Sequence, residues 1–188
     1  MIIKKRWKDI GEIDERIWSI IAPLRAVHEK NIYLASATLM DERTYPCVVF
    51  VEKSTHEQWQ LFPRYGFIRT HYKFDNEKMI DASSIKSVAP SPFAVENLDL
   101  VEKLNLHGHY DDFNYQVKLK LRDGREYWIK KSHDFMKFIP IPDGYTEKDI
   151  VDAEWPEGGD DDKATDRIYL KNAPKSMLCI FQRPKKIE

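Results

Sequence analysis

Residues 110–131, YDDFNYQVKLKLRDGREYWIKK, carry the clearest local pattern in this chain. Tyr115, Val117, Leu119 and Leu121 alternate with Gln116, Lys118, Lys120 and Arg122. That is the period of two expected of a strand with one buried face. Asp123-Gly124 supplies a turn, because glycine takes positive φ without a Cβ clash and aspartate tolerates turn geometry. Arg125 to Lys131 then returns as the second strand of a hairpin. A two-residue loop would pair Leu119 with Trp128 and leave Tyr127 and Ile129 on the basic face. A three-residue loop, Arg122-Asp123-Gly124 with Gly124 left-handed, pairs Leu119 with Tyr127 and Val117 with Ile129. Because a one-residue slip moves a whole side-chain set to the other face, the apolar match predicts the three-residue loop with a bulge at Gly124. Trp128 then shares the opposite face with Lys118 and Lys130.

Upstream, Ile10 to Glu29 reads as an amphipathic helix, with Ile13, Ile17, Ile20, Leu24 and Val27 on one stripe. Pro23 removes a backbone donor inside it, so the helix either kinks there or ends near Ile21. From Asn31 the pattern turns to strands. Ile32 to Met40 is one, closed by Asp41-Glu42-Arg43. Pro46 to Glu52 is a nearly continuous apolar run that suits a strand covered on both faces. Gln58 to Phe62, Phe67 to Phe74 and Met79 to Val88 follow as further strands. Ser91-Pro92 suits the start of a short helix through Val95, Leu98 and Val101, with a strand on Leu98, Leu100, Leu104 and Leu106 as the alternative. Phe135 to Ile141, with Pro140 and Pro142 around its end, suits an edge strand or extended loop.

Past the hairpin, Thr146 to Asp149 caps a short helix through Val151, 157–166 is an acidic flexible loop, and Ile168–Leu170 with Met177–Phe181 form a final hairpin. No internal repeat stands out convincingly from the sequence. The expected fold is α+β: a mainly antiparallel sheet curled into a barrel-like or sandwich core, with the N-terminal helix packed on it. The chain reads as a single domain over 1–188, with a helical segment at 10–30, a β-rich core at 31–142 and a looser region at 143–188.

Composition narrows the function. Hydrophobic residues make up 42% of the 188, enough for a real core. Lys and Arg (30) almost cancel Asp and Glu (31), leaving a net charge of −1. A dedicated nucleic-acid binder carries a basic excess to displace counterions, so nucleic acid is disfavoured as a partner. Cys47 and Cys179 each sit in an apolar run, which reads as two buried free thiols rather than a disulfide or zinc framework. Charges interrupt every apolar stretch before it is long enough for a signal peptide or a membrane span. The expectation is a cytoplasmic protein without membrane association.

Catalytic motifs are sparse. With seven glycines the chain has no GxxxxGK[ST], no GxGxxG and no Gly-x-Ser-x-Gly. The acidic run Asp160, Asp161, Asp162 and Asp166 does not follow the alternate-ligand order of a calcium loop. His107, His109 and Asp111 fall two apart, so on an extended segment they would point the same way and could hold a divalent metal. The stretch His107-Gly108-His109-Tyr110-Asp111-Asp112 resembles the HxHxDH motif of metallo-β-lactamase-fold hydrolases over six residues. It departs at Asp112, where that family has a histidine, and a hairpin follows instead of β-α layering.

The remaining signal mixes rings with positive charge: Trp59, Arg64, Tyr65 and Arg69, and on the hairpin Lys118, Trp128 and Lys130. Such residues concentrate binding energy at protein interfaces and also stack on single-stranded nucleic acid. The leading expectation is a non-enzymatic protein-interaction module with a protein partner and no cofactor. A metal-dependent hydrolase on His107, His109 and Asp111 comes second, and a single-stranded nucleic-acid binder on Trp128 and its lysines third.

Overall fold

The computed structural model describes residues 10–26, 31–55, 79–107, 109–110, 114–132, 138–154, 167–169 and 176–185. They form an α+β fold of mostly strands in two sheets, and neither sheet closes into a barrel, one of the two forms expected for the core. The chain divides into two compact units, one of Met1–Pro92 with Ser176–Glu188 and one of Phe93–Lys175.

In the first unit α1 (Glu15–Ile21) is capped by Asp14, whose carboxylate accepts from the Arg16 and Ile17 amides at 2.9 and 3.4 Å. It is shorter than the 10–30 segment its periodicity predicts. Pro23 has no amide to continue the helix, and the chain beyond it runs as a ribbon instead. Leu34 N donates to Leu24 O and Ala26 N donates to Ile32 O. Leu24 thus reaches the core from non-helical backbone.

The sheet is built from β1 (Ile32–Leu39), β2 (Thr44–Glu52), β3 (Met79–Asp81), β4 (Ile85–Pro90) and β10 (Met177–Phe181), in the order β3-β10-β2-β1-β4. β1 pairs antiparallel with β2 and β4, whereas β10 runs parallel to both β2 and β3. Met79–Val88 is therefore two strands, broken by a 3-10 turn at Ala82–Ser84 that Asp81 caps. One face of the sheet (Tyr33, Ala35, Ala37, Val48, Phe50, Cys179, Phe181) packs with Ile13, Ile17 and Ile21 of the N-terminal segment. The other face (Ile32, Leu34, Cys47, Val49, Val51, Leu178, Ile180) is buried as well, as the apolar run of β2 anticipates.

The second unit holds α2 (Leu98–His107), β5 (His109–Tyr110), β6 (Asn114–Leu121), β7 (Glu126–Ser132), β8 (Ile150–Glu154) and β9 (Arg167–Tyr169). α2 is the helix expected after Ser91-Pro92, though it starts later. Asn97 Oδ1 accepts from Leu100 N in its first turn, and Glu147 Oε1 accepts from the Glu96 and Asn97 amides just before it at 2.9 and 2.7 Å. β6 and β7 form the predicted hairpin in the predicted register: Leu119 opposite Tyr127 and Val117 opposite Ile129, with Gly124 at φ +87°. β8 pairs with β6 where a short helix through Val151 was expected, because the helical turn stops at Asp149. The final hairpin does not form. β9 lies parallel to β7 in the second sheet and β10 lies in the first.

The two units repeat one plan. Each has a capped helix, a hairpin, a 3-10 turn leading into a strand antiparallel to the first hairpin strand, and a last strand parallel to the second. The match reaches individual bonds. Leu39 N donates to Arg43 O in one hairpin and Leu121 N to Arg125 O in the other, both at 2.8 Å. Asp41 accepts from Arg43 N and Nε at 3.1 and 2.8 Å, as Asp123 does from Arg125 at 3.1 and 2.8 Å. Met40 N reaches Ser84 O, and Arg122 N reaches Asp149 O. Leu39 faces Ile85 as Leu121 faces Ile150.

Candidate functional site

Of the ring-and-charge residues, Trp59, Arg64, Tyr65 and Arg69 lie outside the described residues. Lys118 and Trp128 face each other across β6 and β7, and Lys130 lies opposite Gln116 in the same hairpin. The period-two pattern sorts this sheet as expected: Val117, Leu119, Leu121 and Tyr127 are buried, whereas Lys118, Lys120, Glu126 and Trp128 are half-buried on the other side.

This second face is not simply basic. Lys118 Nζ lies 2.9 Å from Glu154 and 3.7 Å from Glu126, and Lys120 bonds the other oxygen of Glu154. The two lysines hold the Glu154 carboxyl below its ordinary range, and Glu154 raises the Lys120 ammonium. Asp152, two residues before Glu154 on β8, pairs with Lys103 of α2 at 3.0 Å. The result is a lattice of alternating charge around an indole. The lysines are legible in the sequence but Glu154 is not, because a partner on β8 becomes a neighbour only once that strand pairs with β6.

The repeated plan gives an internal control. The positions of the first unit that correspond to Lys118, Lys120, Glu126 and Trp128 are Ser36, Thr38, Thr44 and Pro46. By sequence spacing, small neutral side chains stand in one unit where long charged ones with an indole stand in the other, and the first hairpin is bulged between Ala35 and Ala37 where the second pairs regularly.

The histidine cluster divides between elements. His107 ends α2 and His109 begins β5, so the pair does not sit on one extended segment, and Asp111 lies outside the described residues. Among the described residues no three His, Cys, Asp or Glu side chains come together to hold a metal. Cys47 and Cys179 are buried and form no disulfide, and burial pushes the Cys179 thiol well above its usual range.

A second constellation, in the first unit, escaped the sequence. Glu52 ends β2 with its side chain only 11% exposed. Its Oε1 accepts from Tyr33 Oη at 2.7 Å and from Arg183 Nη2 at 2.6 Å. The same Nη2 lies 3.2 Å from Tyr33 Oη and 3.3 Å from Asn31 Oδ1. The Arg183 guanidinium lies over the Trp18 ring, 5.0 Å from its centroid, and Trp18 meets Tyr33 edge to face. Burial, then the Glu52 hydrogen bond, pushes the Tyr33 hydroxyl up to about 12, and Glu52 raises the Arg183 guanidinium. Beside this cluster opens a cavity of about 360 Å³ lined by Glu52, Lys53, Ser54, Phe181, Gln182 and Arg183.

No protein-family model, curated protein or solved structure matches the chain. Among the described residues no helix is long and apolar enough to cross a membrane.

Proposed function

We propose that this chain is a non-enzymatic protein-interaction module that docks a protein partner on the Trp128 face of the second unit. The observation that carries this reading is the charge lattice of Lys118, Lys120, Glu126 and Glu154 around Trp128. Nucleic-acid affinity grows with the number of cations free to displace counterions from phosphates. Here a polyanion would first have to break cross-strand ion pairs and approach two carboxylates. A protein surface that offers its own mixed charges around an apolar pocket suits the face better, since opposed charge patterns fix register and a tryptophan serves as an anchor. The small neutral side chains at the matching positions of the first unit add support, because a hairpin of the same plan there carries no such charges.

The test is affinity purification of the tagged full chain from its native host, with and without nuclease, alongside Trp128→Ala. The expected outcome is a stoichiometric protein partner that survives nuclease and binds Trp128→Ala about 30-fold more weakly, the scale of an interface anchor, with the melting transition kept cooperative. Equal retention by the variant, or recovery that vanishes with nuclease, would overturn the proposal.

A further inference from the structure

The cavity beside Glu52 and Arg183 is built from the ends of two adjacent parallel strands, β2 and β10. Its volume falls at the lower end of the range that small-molecule sites occupy. Its chemistry is uneven. Two cations, Lys53 and Arg183, line it with one carboxylate, Glu52, whose Oε1 is already shared between Tyr33 and Arg183. Every hydrogen bond of Arg183 to the described residues leaves from Nη2. Nε and Nη1 of Arg183, the Lys53 ammonium and the Ser54 hydroxyl meet no partner among those residues.

Arg183 is also held in place. Its side chain is 51% exposed, a degree of exposure at which an arginine ordinarily samples many rotamers. Here a nearly buried carboxylate, an asparagine oxygen, a tyrosine hydroxyl and the face of an indole fix the guanidinium. A fixed donor loses little entropy on capturing an acceptor.

We infer that this cavity is a binding site for a small organic oxyanion, a carboxylate or a phosphate ester. Nε or Nη1 of Arg183 and the Lys53 ammonium take the anionic group as charge-assisted donors, and Ser54 adds a hydroxyl. Glu52 serves as the orienting group: it fixes the guanidinium through Nη2 and leaves the other two nitrogens for the ligand. The site uses no residue of the Trp128 face, so it stands or falls apart from the proposed interface.

The test uses the intact chain at low salt, titrated with benzoate and, separately, with inorganic phosphate, following the Arg183 Nε–H and Ser54 amide resonances. Saturable shifts confined to these residues are expected with at least one probe, and the tighter probe distinguishes a carboxylate from a phosphate ligand. Lys53→Gln, which leaves the Glu52–Arg183 pair intact, is expected to weaken binding about tenfold, the loss of one charge-assisted contact. Two results would overturn the inference: shifts that stay linear or spread equally over other exposed arginines, and unchanged affinity in Lys53→Gln.

Discussion

Tyr33 donates its hydroxyl to Glu52 at 2.7 Å, whereas the Tyr127 hydroxyl, also enclosed, meets no partner among the described residues. Removing the two hydroxyls should therefore have opposite effects. Tyr33→Phe deprives a nearly buried carboxylate of a donor and is expected to cost about 2 kcal/mol, the range for a hydrogen bond to a charged group. Tyr127→Phe removes a desolvated hydroxyl that nothing among the described residues repays, and a gain of about 1 kcal/mol is expected. Urea unfolding of both variants checks the pair of signs. The alkaline limb checks Tyr33 independently. Its ionisation is raised from 10.0 to about 12, first by burial and then by the Glu52 hydrogen bond. The folded state thus prefers the protonated form. The contribution of that preference is complete below pH 10 and is lost as the pH rises through about 12. The stability difference between the native protein and Tyr33→Phe should shrink across that window. A difference that stays constant would mean that the hydroxyl is not coupled to Glu52.

At the scale of the element, the hairpin that ends in Arg122-Asp123-Gly124 was legible in the sequence down to its register, because turn chemistry and alternation are both local. Its weak point is equally local. Gly124 sits at φ +87°, and a Cβ there would meet no other group within 4 Å, so only backbone strain opposes a side chain. Gly124→Ala should cost about 1 to 2 kcal/mol, the penalty for a left-handed L-residue. Thermal unfolding with the melting transition of the second unit resolved measures it, and no loss would deny the left-handed bulge. The first hairpin places Glu42 at φ 67° in the matching position, so the geometry does not demand glycine even though glycine suits it best. Other elements were not legible, for physical reasons. The stripe from Ile10 to Val27 keeps helical spacing past Pro23, where the backbone cannot. Ile168 and Met177 lie close in sequence, as hairpin strands do, yet each pairs in parallel with a distant strand. Glu52 and Arg183 are 131 residues apart, and no local pattern announces such a contact. The repeat left a thin trace. Tyr33, Leu39, Asp41, Arg43 and Tyr45 recur at one fixed spacing as Tyr115, Leu121, Asp123, Arg125 and Tyr127. These are turn and core positions, and the residues between them differ freely because each sheet face has its own surroundings.

For the whole molecule, the chain order of the two units makes their stabilities separable by truncation. The second unit is contiguous, Phe93–Lys175, and its helix and strands close on one another. The first unit is not: it needs Ser176–Glu188, which returns after the second unit is complete. The returning strand β10 is central, lying between β3 and β2, and it brings Met177, Cys179 and Phe181 into the core. Removing residues 176–188 therefore deletes three buried apolar side chains from that cluster. It also leaves β2 with an unpaired edge and detaches β3, losses that together exceed the few kcal/mol by which a domain of this size is stable. Hydrogen exchange of a chain ending at Lys175 is expected to show β1, β2 and β4 unprotected while β6, β7 and β8 keep their protection. Loss of protection in both sheets would mean that the units fold as one cooperative body. Retained protection in β1 and β2 would mean that β10 is dispensable to the sheet it completes. The expected result would also sharpen the two functional readings, since it would abolish the oxyanion cavity on Arg183 and leave the Trp128 face standing.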